Sequence, residues 1–176
     1  RQRNAGLQQG YDQLSGLYGQ GRGALTTGYG QAGDLYKGLA SSYAPGAAAY
    51  GDYSGAGGVE GLQRATDLFK NSGQYGVYGI GLNEGLQALD RAHAKAGNLS
   101  SGNADTDAIK YAQDQASKAY GQYGAGLQPY LGLQGNATAG AAGAAAGLGQ
   151  GLNQSYQGQG AAANANYTGQ GAANAA

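Results

Sequence analysis

The chain has 176 residues, of which 37 are glycine, and its ten basic and ten acidic side chains give a formal net charge of zero. This balance argues against sequence-independent binding to nucleic acid, which needs an excess of Lys and Arg. Cysteine is absent, which excludes disulfides, thiolate nucleophiles and zinc–thiolate sites.

Large aliphatic side chains are scarce. The hydrophobic fraction of 41% is mostly alanine and tyrosine, and the aromatic residues are 15 Tyr and one Phe. Such a chain buries little apolar surface to offset the entropy lost on folding. We therefore expect it to become ordered mainly by assembly. Methionine is also absent, which favours a processed or partial piece of a longer chain.

The first segment, residues 1–43, has regularly spaced tyrosines. The spacings are 7, 11, 7, 7 and 7 residues for Tyr11, Tyr18, Tyr29, Tyr36, Tyr43 and Tyr50. Leucines fall between them at helical offsets, at Leu7, Leu14, Leu25 and Leu39. A seven-residue repeat with one 11-residue step is typical of packed helices, so a helical arm is predicted. The alternative is a disordered arm, because each glycine costs about 1 kcal/mol in a helix.

Residues 44–58 contain Pro45 and a cluster of glycines, a composition that predicts a linker or turn. Residues 59–70 then predict a short helix, ended by the turn formers at 71–73. Glu60 and Arg64 are four residues apart, a favourable spacing for a helical ion pair. One side of this helix is predicted to carry Val59, Leu62, Thr66 and Phe69.

A helical hairpin is predicted next, formed by residues 80–96 and 104–128 within a module at 59–135. The first helix has a stripe with steps of 4, 3 and 4 at Leu82, Leu86, Leu89 and His93. Gly97 and Asn98 are suited to a left-handed C-terminal cap. The short connection contains many turn formers, which favours two antiparallel helices.

The second helix of the hairpin has the most regular pattern in the chain. Its stripe has steps of 3, 4, 4, 3, 4 and 3 at Ile109, Ala112, Ala116, Tyr120, Tyr123, Leu127 and Tyr130. Side-chain caps are expected at Ser100, Ser101 or Asn103. Pro129 predicts a kink or an end near Gln128. We expect the tyrosine rings of this stripe to be buried in helix–helix contacts.

Residues 136–176 form an uncharged tail rich in Gly, Ala and Gln, and no charged residue follows Lys118. An 11-residue repeat relates the segments that begin at Tyr156 and Tyr167, a period that suits a nearly straight helix. Small residues every four positions predict a close helix contact at Ala139, Gly143, Gly147 and Gly151. Flexible low-complexity sequence is the equally weighted alternative.

Catalytic chemistry has few candidate residues. His93 is the only histidine and lies on an apolar stripe, which favours a packing role over that of a base or ligand. Asp105 and Asp107 suit the positive end of a helix dipole better than a metal site. The glycine-rich runs follow no buried strand and lack a Walker lysine. We expect an all-α, non-enzymatic protein with no cofactor and no metal.

The segment LQALDRAHAKAGNLSSGNADTDAIKYAQDQASKAYGQYGAGLQPYLGLQGNATAG, residues 86–140, resembles the internal, DNA-ejection (DNA-transfer) proteins of tailed bacteriophages, especially short-tailed ones. The resemblance rests on a helix that ends in AGNLSSG, a following helix with Tyr120 and Tyr123, and Ala/Gly-rich tracts with LGQG. It covers about a third of the chain, and its motifs concern packing and capping rather than catalysis.

The resemblance implies a structural protein in the virion, in the capsid interior or tail lumen near the portal. Such a protein leaves with the genome and helps form a conduit across the host envelope. Its implied partners are further copies of itself, the portal, the tail, other ejection proteins and, after release, the envelope. The alternatives are an extracellular or cell-surface Gly/Ala/Tyr-rich fibre, a fixed tail or neck component, and a disordered Gly/Tyr segment.

Overall fold

The computed structural model describes residues 2–98 and 102–175, and nearly all of these are helical. The helices are α1 (Gln2–Tyr53), α2 (Gly58–Lys70), α3 (Gly73–Lys95) and α4 (Gly102–Ala175). No strand occurs in the two described ranges. The predicted all-α class is confirmed, and both the N-terminal arm and the C-terminal tail are helical.

The chain divides into two compact units. The terminal unit combines Arg1–Ala40 with Gly135–Ala176, and the central unit is Ser41–Gln134. The arm and the tail, predicted as separate segments, therefore belong to one unit. Apolar periodicity does not reveal this pairing, because the tail contributes glycines rather than large side chains to the contact.

The predicted linker at 44–58 is wrong over most of its length. Helix α1 continues through Pro45 to Tyr53, and only residues 54–57 form a turn. Proline in a helix leaves the carbonyl four residues earlier without its usual donor. That carbonyl belongs to Ser41, which is exposed, so water can bond to it. Gly55, with φ of +86°, provides the left-handed turn instead.

The predicted helix end near Gln128 is also wrong, because α4 continues through Pro129 to Ala175. Here the carbonyl without a donor belongs to Ala125, which is again exposed. Side chains on both sides of the proline make helix contacts. Tertiary packing of this kind stabilises helices more than intrinsic propensity does.

The ends of α3 follow the capping rules. The Ser72 hydroxyl accepts a hydrogen bond from the Tyr75 amide, so α3 begins at Gly73, seven residues before the predicted start. At the other end, Gly97 has φ of +73° and its amide bonds to the Ala94 carbonyl, while the Asn98 amide bonds to the His93 carbonyl. This pair of bonds is a Schellman motif and confirms the predicted cap.

The predicted caps of α4 have a different outcome. Ser100 and Ser101 lie outside the described residues. Asn103 lies inside the first turn, because α4 begins at Gly102. The Thr106 hydroxyl bonds to the Gly102 carbonyl within that turn.

The buried core consists almost entirely of small side chains. Phe69, with 7% of its surface exposed, is the one large residue among the buried hydrophobics of the described ranges, and the others are Ala47, Ala49, Ala65, Ala104, Ala137 and Ala144. Helix contacts in this protein therefore depend on close backbone approach more than on a large apolar interior. That the chain needs partners to become ordered stays a prediction.

Candidate functional site: glycine-lined helix contacts and an aromatic cluster

The predicted stripes of α3 and α4 are only partly covered. The residues of the α3 stripe are half-buried, namely Leu82, Leu86, Leu89 and His93. On α4 the half-buried members are Ala112, Ala116, Tyr120, Tyr123 and Leu127. Ile109 is 59% exposed and Tyr130 is 40% exposed.

The expected burial of the tyrosine rings is wrong for Tyr130, and Ile109 is uncovered for a geometric reason. Helix α1 ends at Tyr53, whose ring lies against Gly124 of α4. Ile109 lies four turns of α4 before Gly124, beyond the end of α1. Tyr130 contacts α1 instead, with its ring against Gly46 and 6.4 Å from the ring of Tyr43.

The predicted hairpin is visible in the contacts between α3 and α4. The Tyr111 ring lies against Gly85, at a place where any side chain on residue 85 would overlap it. Near the turn, His93 Nε2 is 3.5 Å from Asp107 Oδ2. Sequence reasoning did not select Tyr111, because it lies outside the regular stripe and its partner is a glycine.

His93 connects the two helices of this hairpin near its turn. Its Nδ1 is 3.1 Å from Asn98 Oδ1, and its Nε2 faces the Asp107 carboxylate. Both ring nitrogens thus face oxygen atoms at the turn. The arrangement suits a packing and hydrogen-bonding histidine, as the sequence indicated for His93, and it also gives Asp107 a partner.

An aromatic cluster lies where all four helices of the central unit meet. The Phe69 ring of α2 has its centroid 5.4 Å from each of the Tyr75, Tyr120 and Tyr123 rings. Tyr53 of α1 joins through Tyr120, with 4.9 Å between centroids. Edge-to-face and tilted pairs at these distances each contribute about 0.5–1.5 kcal/mol beyond burial.

Tyr123 is affected chemically by this cluster. Burial raises the pKa of its hydroxyl, and the neighbouring Tyr120 adds to the increase. The neutral phenol is therefore the favoured form in the folded unit, as expected for a ring held among other rings.

Helix α2 presents a different face from the predicted one. Its buried residues are Gly61, Ala65 and Phe69. Val59 is 74% exposed and Leu62 is 44% exposed, so the predicted apolar side is covered only at the half-buried Thr66 and the buried Phe69. Small residues allow α2 to approach closely the end of α1 that carries Asp52.

Arg64, which was predicted to pair with Glu60, forms its hydrogen-bonded ion pair with Asp52. Arg64 donates from Nε to Asp52 Oδ2 at 2.9 Å and from Nη2 to Asp52 Oδ1 at 2.7 Å. These hydrogen bonds, together with the positive charge, lower the pKa of Asp52. A carboxylate oxygen of Asp52 also occupies the position that a Cβ on Gly61 would need.

In the terminal unit, large side chains of α1 face glycines of α4. A Cβ built on Gly140 would lie 2.5 Å from the Tyr36 ring, one on Gly147 2.5 Å from Tyr29, and one on Gly158 2.7 Å from Tyr18. Leucines face glycines in the same way, in the pairs Leu25–Gly151 and Leu7–Gly169. In all five pairs the residue numbers add up to 176, so the two antiparallel segments keep one register throughout.

This register corrects the predicted ladder of small residues in the tail. Gly147 and Gly151 do face α1, but nothing in the described chain lies within 4 Å of a Cβ on Gly143, and Ala139 is exposed. The spacing of the real contact residues follows the tyrosines of α1. Its steps are therefore 7, 4, 7 and 11 residues rather than a repeat of four.

Polar side chains add a second line of contact in the terminal unit. Arg22 donates to Gln159 Oε1 at 2.7 Å and lies over the Tyr156 ring at 4.6 Å from its centroid. Gln159 also donates to the Ser15 hydroxyl at 2.9 Å. Nearer the chain ends, Gln170 donates to Gln8 at 3.0 Å.

The described residues offer little for catalysis or metal binding. Among residues 2–98 and 102–175, no three His, Asp or Glu side chains are grouped so as to hold a metal ion. An open groove of about 410 Å³ between α3 and α4 is lined mainly by glycine and amides, with Lys118 as its charged residue. None of the described helices is long and apolar enough to cross a membrane.

Comparisons with known proteins add no further identification. No protein family, no curated protein and no solved structure matches this chain.

Proposed function

We propose that the chain is a structural, non-catalytic protein of a tailed-bacteriophage particle. In this proposal it lies near the portal or tail, is ejected with the genome, and helps form a conduit for DNA across the host envelope. The resemblance of residues 86–140 to ejection proteins supports it. The proposed partners are other copies of the chain, the portal, the tail and other ejection proteins.

The observation that carries the proposal is that few large side chains are buried between long helices. Helix α4 has 74 residues and α1 has 52, yet Phe69 is the one large side chain buried in the described ranges. A protein that passes through a narrow tail must give up its tertiary contacts and form them again afterwards. When a contact between a single side chain and a glycine breaks, little buried apolar surface becomes exposed to water.

Two features of the sequence suit the same role. No cysteine is present, so no disulfide holds segments of the chain together during passage. The last 58 residues carry no charged side chain, so neighbouring copies meet there without like-charge repulsion. We expect this uncharged segment to pack against other copies or the envelope after release.

The experiment is mass spectrometry of purified particles before and after triggered genome release. Ejection predicts that peptides of this chain are present before release and lost afterwards, while portal peptides remain constant as the internal control. Presence in both states would instead make the chain a fixed tail or neck component. Absence from intact particles would contradict the virion role and favour a fibre protein.

A further inference from the structure

Helix α1 has a second apolar face in the terminal unit, which we call the outer stripe. It repeats with the heptad steps 3, 4, 3, 4 and 7 and contains Leu14, Leu17, Gly21, Ala24, Gly28 and Leu35. Leu17 is 61% exposed and Leu35 is 71% exposed. In the described chain nothing lies within 4 Å of a Cβ built on Gly21 or Gly28.

The outer stripe differs in character from the other flank of the α1–α4 contact. At 100° per residue, Ser15 and Arg22 lie on one side of the tyrosine contact line of α1, whereas Leu17 and Gly21 lie on the other. The first side makes the hydrogen bonds to Gln159 and holds the Arg22–Tyr156 contact. The outer stripe consists of Leu, Ala and Gly, except for the exposed Gln31 at the heptad position between Gly28 and Leu35, and it continues directly from the established contact with α4.

Four of the six residues of the stripe are arranged symmetrically about position 26. Leu17 and Leu35 lie nine positions on either side of position 26, and Ala24 and Gly28 lie two positions on either side. Large side chains therefore flank a centre of small ones, where a hollow of about 420 Å³ is lined by residues between Gly21 and Ala32. A two-fold interface requires this property, because each residue must meet the same surface on its partner.

We propose that the outer stripe binds the outer stripe of a second copy of this chain, with the two α1 helices antiparallel and position 26 at the two-fold axis. In this register Leu17 meets Leu35 of the second copy, and Ala24 meets Gly28 of the second copy. The small central residues let the backbones approach closely, and the leucines cover both ends of the contact.

The charges near the stripe agree with this partner. Asp34 is the charged residue that flanks the stripe on its solvent side. Residues on the same flank of two antiparallel helices face each other, so the nearest residue to Asp34 on that flank of the second copy is Gln20. An amide can donate to a carboxylate, so no like charges face each other. This inference names the surface through which copies associate, and so it deepens the assembly role proposed above.

A matched pair of glycine variants tests the interface in the purified full-length chain. Gly28 lies in the stripe and Gly30 lies off it, and both are open, exposed helical glycines. We expect Gly28→Glu to weaken self-association by at least about tenfold in sedimentation equilibrium, and Gly30→Glu to leave it unchanged. A wild-type chain that stays monomeric, or equal effects of the two variants, would overturn the proposal.

Cross-linking tests the register independently, since the chain has no cysteine of its own. A mixture of Ala24→Cys and Gly28→Cys chains should oxidise mainly to the mixed dimer, and Gly30→Cys should not cross-link with either. Random pairing would contradict the register even if Gly28→Glu fails to fold. Absence of the protein from phage particles would refute the proposed function but would not affect this interface. A chain that is found in particles but is monomeric in solution would refute the interface and leave the proposed function standing.

Discussion

The two units use tyrosine in different surroundings. In the central unit, rings from all four helices meet at Phe69, and each ring touches others. In the described part of the terminal unit, five large side chains of α1 meet glycines of α4, and no aromatic pair forms; they are Leu7, Tyr18, Leu25, Tyr29 and Tyr36. When one ring of the aromatic cluster moves away, its ring neighbours lose contacts as well. A ring that packs on a glycine can move away without disturbing other rings. We therefore infer that the central unit unfolds cooperatively and that the terminal unit opens first.

Removing the centre of the aromatic cluster should give the largest effect. Phe69→Ala deletes a buried ring with three ring neighbours and should destabilise the central unit by about 3–5 kcal/mol. Urea unfolding followed by circular dichroism measures this loss. Leu68→Ala is the control, because Leu68 is 48% exposed and should lose well under half as much. Equal losses would mean that Phe69 is not the centre of the unit.

Tyr123 tests a neighbouring position in the same cluster. Tyr123→Ala should cost about 2 kcal/mol or more, whereas Tyr123→Phe keeps the ring and should be mild. The virion role proposed above further predicts that Tyr123→Ala blocks incorporation into particles. Tyr167→Ala should be tolerated, since that ring is 82% exposed. Quantitative mass spectrometry of particles from each variant gives the readout. Normal incorporation of Tyr123→Ala would show that the cluster is dispensable for assembly.

Two glycines of α4 test the side-chain-on-glycine contacts of the terminal unit. Gly140→Ala places a methyl group 2.5 Å from the Tyr36 ring, close to its fixed end, and should cost about 1–3 kcal/mol. Gly143→Ala meets open space and should stabilise the helix by about 0.5–1 kcal/mol. Thermal unfolding of both variants should move in opposite directions, and shifts of the same sign would contradict the register.

Acid should weaken the central unit slightly through Asp52. Arg64 lowers the pKa of Asp52 in the folded state, so this stabilisation is full above the ordinary value of 3.8 and is lost as the pH falls through the lowered pKa. Arg64→Gln should remove that part of the acid sensitivity of the unfolding midpoint. Lys37→Gln is the control, because Lys37 and Asp34 form an exposed pair at 3.8 Å. An unchanged acid response in Arg64→Gln would refute this role.

The sequence was informative wherever a helix showed its own pattern. Tyrosine spacing predicted α1, and Gly97 with Asn98 predicted the end of α3, because both are local features. The predictions based on the two prolines were wrong, because Pro45 and Pro129 both lie inside helices. In each helix the carbonyl that loses its donor belongs to an exposed residue. Local penalties of about 3 kcal/mol do not end a helix that is packed on both sides of the proline.

The partners of each helix were harder to predict. Glycines receive the rings of Tyr18, Tyr29 and Tyr36, and an apolar pattern search does not register glycine as a contact residue. Tyr111 was missed for the same reason, because its partner is Gly85, whereas the exposure of Ile109 follows from where α1 ends. Where α1 ends, and which glycine faces which ring, depend on tertiary register rather than on the periodicity of one helix.

Native-state hydrogen exchange of the full-length chain tests the central claim most directly. Amides in 5–40 and 136–172 should exchange through small local openings with low free energies that vary along the helices. Amides around Phe69, Tyr75 and Tyr120 should share one higher free energy, and Phe69→Ala should lower it as a group. A uniform opening energy across both units, or a more strongly protected terminal unit, would contradict the account.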